Sequence, residues 1–213
     1  MSWLCIWAAC SINLRMSPSM AQRVPQRGGS TYAQPMHQMI ALLRGINVGK
    51  AKRIAMADLR DLFTELGHQN VKTYIVSGNV TFDSATSDEA ALTLQISKAI
   101  ADRFGFEVSV VVIGRSELRN VASDSPLLDQ IGDPKHLIVT VLDGPPDPDL
   151  IEAIDRAAYL PESFVTVGRS VHVHCPNGQA EMQMNNAFWE KTLGQVATTR
   201  TWRTMSKLIE LSS

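Results

Sequence analysis

Residues 39–56 read MIALLRGINVGKAKRIAM. Ile40 to Leu43 form a continuous apolar run, too short for a helix, that ends at Arg44 and Gly45. This predicts a strand buried on both faces that runs straight into a loop. Gly45 and Gly49 bracket Ile46, Asn47 and Val48. Glycine allows positive φ and close backbone approach, so such a loop can turn sharply and aim N–H groups at an anion. Arg44, Lys50, Lys52 and Arg53 put four cations within ten residues. Met56, Leu59, Leu62, Phe63 and Leu66 then recur at helical spacing, with Asp58 and Asp61 in the opening turns and Gly67 as a stop.

The loop is not a nucleotide P-loop. Its glycines stand too close together, and Ala51 occupies the place of the Ser or Thr that would hold magnesium. Two readings remain: a generic anion site, or a tight strand-to-helix turn with solvated lysines.

Composition narrows the class. The chain has 213 residues, room for one large domain or two small ones. Residues 1–36 hold Arg15, Arg23 and Arg27 and no acid, which leaves 17 basic and 21 acidic side chains, a net of −4, in the remainder. A mildly acidic body argues against non-specific nucleic-acid binding, which depends on phosphate neutralisation. Cys5, Cys10 and Cys175 form no regular framework, so a reducing, cytoplasmic setting is expected. No apolar stretch is long enough to span a bilayer, and no membrane partner is expected. Residues 1–36 lack the cationic start of a signal peptide and read as a disordered extension, with Met36 as an alternative start.

Working outward from the anchor, residues 71–76 (VKTYIV) and 80–83 read as a hairpin about Ser77, Gly78 and Asn79. A helix over 87–104, a strand over 108–113 and a short helix over 117–122 complete a β-α-β-β-α-β-α order. The second part repeats it. A strand at 136–142 leads through an acidic turn to a helix over 150–159. A hairpin at 164–167 and 171–174, a helix over 185–193, a strand at 197–201 and a helix over 202–211 follow. The predicted architecture is α+β: two ferredoxin-like βαββαβ halves in tandem, 37–125 and 136–213, with antiparallel sheets and helices. The strands at 40–43 and 108–113 are apolar on both faces, so the other half or another subunit must cover the second face.

Three blocks, LLRGINVG at 42–49, TYIVSGNVTF at 73–82 and TTRTW at 198–202, resemble the DUF1697 family. The resemblance runs from about His37 to the C-terminus. It implies a two-part α/β fold of ferredoxin-like halves and a set of motif positions, but no activity. Thr201 and Arg203 stand where that family usually has asparagines, and Lys50 where it has a further glycine.

Candidate ligand-binding residues follow from the motifs. Arg44, Asn47 and Lys50 can hold a phosphate or carboxylate. Ser77 and Asn79 can add polar contacts from the hairpin, and Arg200 and Trp202 can contribute from the second half. Other chemistries are weaker. A base-stacking sheet would place Ser77 and Asn79 where aromatics are needed. His172 and His174 share a strand face without a second ligand group, so a solvent-facing strand is expected and no metal. Asp143, Asp147 and Asp149 sit among prolines and suit a polar turn. No catalytic signature and no cofactor motif emerges. The leading expectation is a small anionic or nucleotide-like ligand held between the halves. The alternatives are a self-associating homodimer in which the motif is structural, and a hydrolase or transferase without a signature.

Overall fold

The computed structural model describes residues 35–123 and 125–212, so the expected extension at 1–36 lies outside the described residues except for Pro35 and Met36. The apolar run becomes the central strand β1 (His37–Leu43). It pairs antiparallel with β3 (Asn79–Ser84) on one side and β4 (Val110–Gly114) on the other. With β2 (Gln69–Tyr74) the order is β2-β3-β1-β4. Side chains alternate along a strand. Met39, Ala41 and Leu43 therefore join Val80, Phe82, Val110 and Val112 on one face. The helices α1 (Met56–Glu65) and α2 (Glu89–Phe104) cover it with Leu59, Phe63, Ile96 and Ile100.

A short helix, α3 (Arg115–Ser123), ends the first half. The second half repeats the plan with β5 (Leu137–Leu142), α4 (Pro148–Glu152), β6 (Ser163–Val167), β7 (Ser170–His174), α5 (Asn186–Leu193), β8 (Ala197–Thr201) and α6 (Trp202–Leu211). Its sheet has the equivalent order β6-β7-β5-β8, again wholly antiparallel. The fold is α+β in two similar halves.

The second face of the first sheet is covered from within the chain. Ile40, Leu42, Val111 and Ile113 form one buried cluster with Val139 and Val141 of the second sheet, and with Leu118, Met205 and Leu208 of α3 and α6. Burying such a side chain stabilises by roughly 1.5–3 kcal/mol, so neither half has a complete core alone. This layer removes the reason for placing a second subunit on that face, and it closes the sheet to base stacking.

Three local expectations need correction. Strand β2 ends at Tyr74 and not at residue 76; Ile75 and Val76 belong to the turn and are 50% and 64% exposed. The helix expected over 150–159 is split. α4 stops at Glu152, and a separate 3-10 turn spans Arg156–Tyr159. Asp155 starts that turn by accepting from the Ala157 N–H at 3.1 Å, a local bond that competes with helix continuation.

The third concerns β7. Val171 and Val173 do pack inward against the helices, but His172, on the opposite face, is also fully buried, with its ring 6.1 Å from that of Trp202. Trp202 of α6, not solvent, meets this face. Neither ring nitrogen has a hydrogen-bond partner among the described residues, and burial pushes the imidazole pKa down to about 4. The unfolded chain protonates this histidine near 6.5 while the native state keeps it neutral, so stability is lost as pH falls through that interval. Urea titrations at pH 7 and pH 4 should show His172→Leu losing less stability than the parent, by up to about 3 kcal/mol. Equal losses in the two proteins would refute the assignment.

Candidate functional site

The motif residues converge where the end of β1 and the β2–β3 turn meet β8. Arg200 lies on β8, opposite Val139 in the register, and is 9% exposed. Its Nε donates to Asn79 Oδ1 at 2.6 Å. Nη1 donates to Thr198 Oγ1 at 3.0 Å and to the Thr199 carbonyl at 2.8 Å. Nη2 donates to the Leu43 carbonyl at 2.6 Å, with the Ser77 and Gly78 carbonyls at 3.2 and 3.4 Å. A guanidinium has five donors, and neutral groups of the protein take all five. None of these partners is a carboxylate. Burial lowers the pKa to about 10, which still leaves the group charged at neutral pH.

Asn79 is fully buried, and its amide donates to the Tyr74 carbonyl and to Ser77 Oγ, both at 3.1 Å. Gly78 makes the close approach feasible. Its φ is +79°, and a Cβ there would sit 2.7 Å from Leu43 Cβ. Ser77, Asn79 and Arg200 thus form one network that ties the halves together, with no donor of the arginine left for a ligand.

Asn47 serves the neighbouring loop in the same way. Its Nδ2 donates to the Ile54 and Val76 carbonyls at 2.9 Å each, and its Oδ1 accepts from the Ile54 N–H at 3.0 Å. Gly45, Asn47, Gly49 and Lys52 all have positive φ. Such a conformation persists only when its surroundings over-determine it, and the Asn47 amide supplies that constraint.

Arg44 and the lysines are placed differently. Arg44 forms an ion pair with Glu190 of α5, a second link between the halves, and both side chains remain partly exposed. Arg44 and Lys52 line a hollow of about 410 Å³ together with Gly45, Glu107, Val108 and Ser109. Lys52 Nζ donates to the Glu107 carbonyl at 2.8 Å. Lys50 is exposed on the same loop. Trp202 does not join this group. It opens α6 and packs toward His172 and the Leu127, Ile131 and Leu137 cluster. Thr201 caps α6 by accepting from the Thr204 N–H at 3.3 Å, a task that asparagine also performs.

Sequence reasoning missed the partners of these cations. Glu190 lies 146 residues from Arg44, and no linear signal joins them. Arg169, in the turn between β6 and β7, is a third clasp. It reaches Glu117 at 2.8 Å, Glu89 at 2.5 Å and the Val112 carbonyl at 3.2 Å. Thr93 and Glu89 also accept from the N–H groups of Val112 and Gly114, so side chains satisfy an edge strand that would otherwise invite pairing. Among the described residues no group of three or more His, Cys, Asp or Glu side chains is placed to hold a metal.

The model of one protein family, described as a protein of unknown function (DUF1697), matches residues 36–172. The chain belongs to the DUF1697 family. A solved structure of a conserved bacterial protein from Streptococcus pneumoniae is 20% identical, with a TM-score of 0.67, and the match covers 84% of this chain and all of that one. At this identity the likeness establishes a shared fold. No curated protein matches the chain. Within the DUF1697 motif, Gly78 gives a sharp test. Gly78→Ala combines an unfavourable φ with a clash against Leu43 Cβ, and should cost at least about 2 kcal/mol in urea unfolding. An alanine variant as stable as the parent would show that the contact between turn and strand is loose.

Proposed function

We propose that the protein binds a small anionic ligand, of the phosphate or nucleotide kind, at the edge of the junction between its halves. The observation that carries this reading is the hollow at Arg44 and Lys52, where the first motif and the residues just after it present two cations beside a loop rigidified by Asn47. Arg44 uses one guanidinium nitrogen for Glu190, and an incoming anion competes for the remaining donors. Lys50 and Arg53 extend the positive loop. Of the seven motif residues expected to touch a ligand, Arg44 and Lys50 keep that role. Asn47 acts by holding the loop, and Ser77, Asn79, Arg200 and Trp202 support the fold. Cys175, a buried free thiol, suits the reducing, cytoplasmic setting we infer.

A second reading rests on the loop tips. Asn47 ties the two loops together, and Val48, Ile75 and Val76 stand 73%, 50% and 64% exposed on them. Ile75 also has φ +50°, a strained state for a β-branched residue. Exposed aliphatic side chains on a strained turn fit a contact with a second copy of the chain.

Calorimetry with inorganic phosphate, pyrophosphate and ATP separates these readings. The ligand reading expects saturable binding that Lys52→Ala weakens roughly tenfold, since one charge-assisted hydrogen bond contributes about 1.5–3 kcal/mol. Lys52 is exposed, so the variant should melt with the parent. Absence of binding by all three anions, together with a concentration-dependent dimer that Val76→Asp dissociates, would replace the first reading by the second.

A further inference from the structure

The end of the first sheet remote from Arg200 carries a row of polar side chains on the same face as the buried layer. Asp83 on β3 lies opposite Gln38 on β1, Asn70 sits beside them where the register of β2 shifts between Gln69 and Lys72, and Arg115 follows β4. Asn70 Nδ2 donates to Asp83 Oδ2 at 2.6 Å, and Arg115 Nη1 donates to Gln38 Oε1 at 3.0 Å. One row further in, Lys72 and Ile40 flank Thr81. Here the covering half runs out, because α6 ends at Leu211, whose carbonyl accepts from Lys72 Nζ at 3.2 Å.

Two hollows open on this row and share Gln38 and Asp83. The smaller, about 260 Å³, is lined by Asn70, Lys72, Thr81 and the end of α6. The larger, about 530 Å³, continues past His37 to Ser116 and Arg119. Together they make a polar trough.

Thr81 gives the trough a meaning beyond an open sheet end. It is 3% exposed, it lines the smaller hollow, and its hydroxyl has no hydrogen-bond partner among the described residues. Buried hydroxyls are ordinarily paired, and an orphan is costly. Beside it, Lys72 supplies a cation. Asp83 Oδ2 accepts from Asn70, while Oδ1 has no hydrogen bond among the described residues. Residues two apart on a strand lie about 7 Å apart on one face. A carboxylate bound at Thr81 and Lys72 therefore leaves its α-ammonium within reach of Asp83.

We propose that this trough binds a small zwitterion of the α-amino acid class. Its carboxylate accepts from the Thr81 hydroxyl and Lys72, and its ammonium donates to Asp83. The larger hollow, which Arg119 also lines, takes the side chain. The site shares no residue with the Arg44 and Lys52 hollow, so either can fail without the other.

The test is calorimetry on the full chain with L-serine and L-glutamate, and with acetate as a probe that lacks the ammonium. The expected result is saturable binding of an amino acid and none of acetate. Thr81→Val and Asp83→Asn should each weaken it roughly tenfold or more, and Arg44→Ala should leave it unchanged. Thr81→Val removes a hydroxyl that bonds nothing among the described residues, so its melting temperature should equal or exceed that of the parent, which separates lost binding from lost folding. The proposal is overturned if neither amino acid binds at about 10 mM, a concentration that shifts any site with a dissociation constant in the millimolar range. It is equally overturned if acetate binds as well as L-serine, or if both variants bind like the parent.

Discussion

A buried arginine with no acidic partner organises this molecule. Arg200 reaches from the last strand of the second half to the Leu43, Ser77 and Gly78 carbonyls and the Asn79 amide of the first. A buried charge is tolerated only when its hydrogen-bonding capacity is met, and here carbonyl, hydroxyl and amide dipoles meet it entirely. The geometry of the β2–β3 turn, the glycine at 78 and the carbonyl at the end of β1 are all conditions of that arrangement. The apolar layer between the sheets supplies most of the burial, but it is non-directional. The arginine fixes how the halves register.

Arg169 and Arg44 make the same point from other directions. Each crosses between the halves, one to Glu89 and Glu117 and the other to Glu190. They differ in exposure. Arg169 is sheltered, whereas Arg44 and Glu190 are partly open to water, where ion pairs contribute little stability. On the proposed reading, the pair at Arg44 is the bridge that an anionic ligand opens. That contrast separates the sheltered arginine from the one that keeps donors open to solvent.

Much of the fold was legible in the sequence because periodicity reports burial directly. The doubly apolar strand at 40–43 identified the two-sided layer, and the repeated order of elements identified two halves. The errors share a cause. Ile75 and Val76 look like strand residues because they are aliphatic, yet they are exposed in a turn. His172 looks like a surface residue because it is polar and alternates with valines, yet it is fully buried, with Trp202 of α6 beside its ring. Local pattern cannot show what a distant part of the chain will cover. The candidate site was legible only as a list of motif positions. Which cations are consumed internally depends on pairings such as Arg44 with Glu190 and Arg200 with Asn79, and these leave no trace in spacing.

The most direct measurement of the central claim is a double-mutant cycle between Arg200 and Asn79, read by urea unfolding of the full chain. Arg200→Gln should cost about 3 kcal/mol or more, and the two positions should be coupled by at least about 1 kcal/mol. If Arg200→Gln changes stability by less than about 0.5 kcal/mol and adds independently to Asn79→Ala, the arginine is not what registers the two halves.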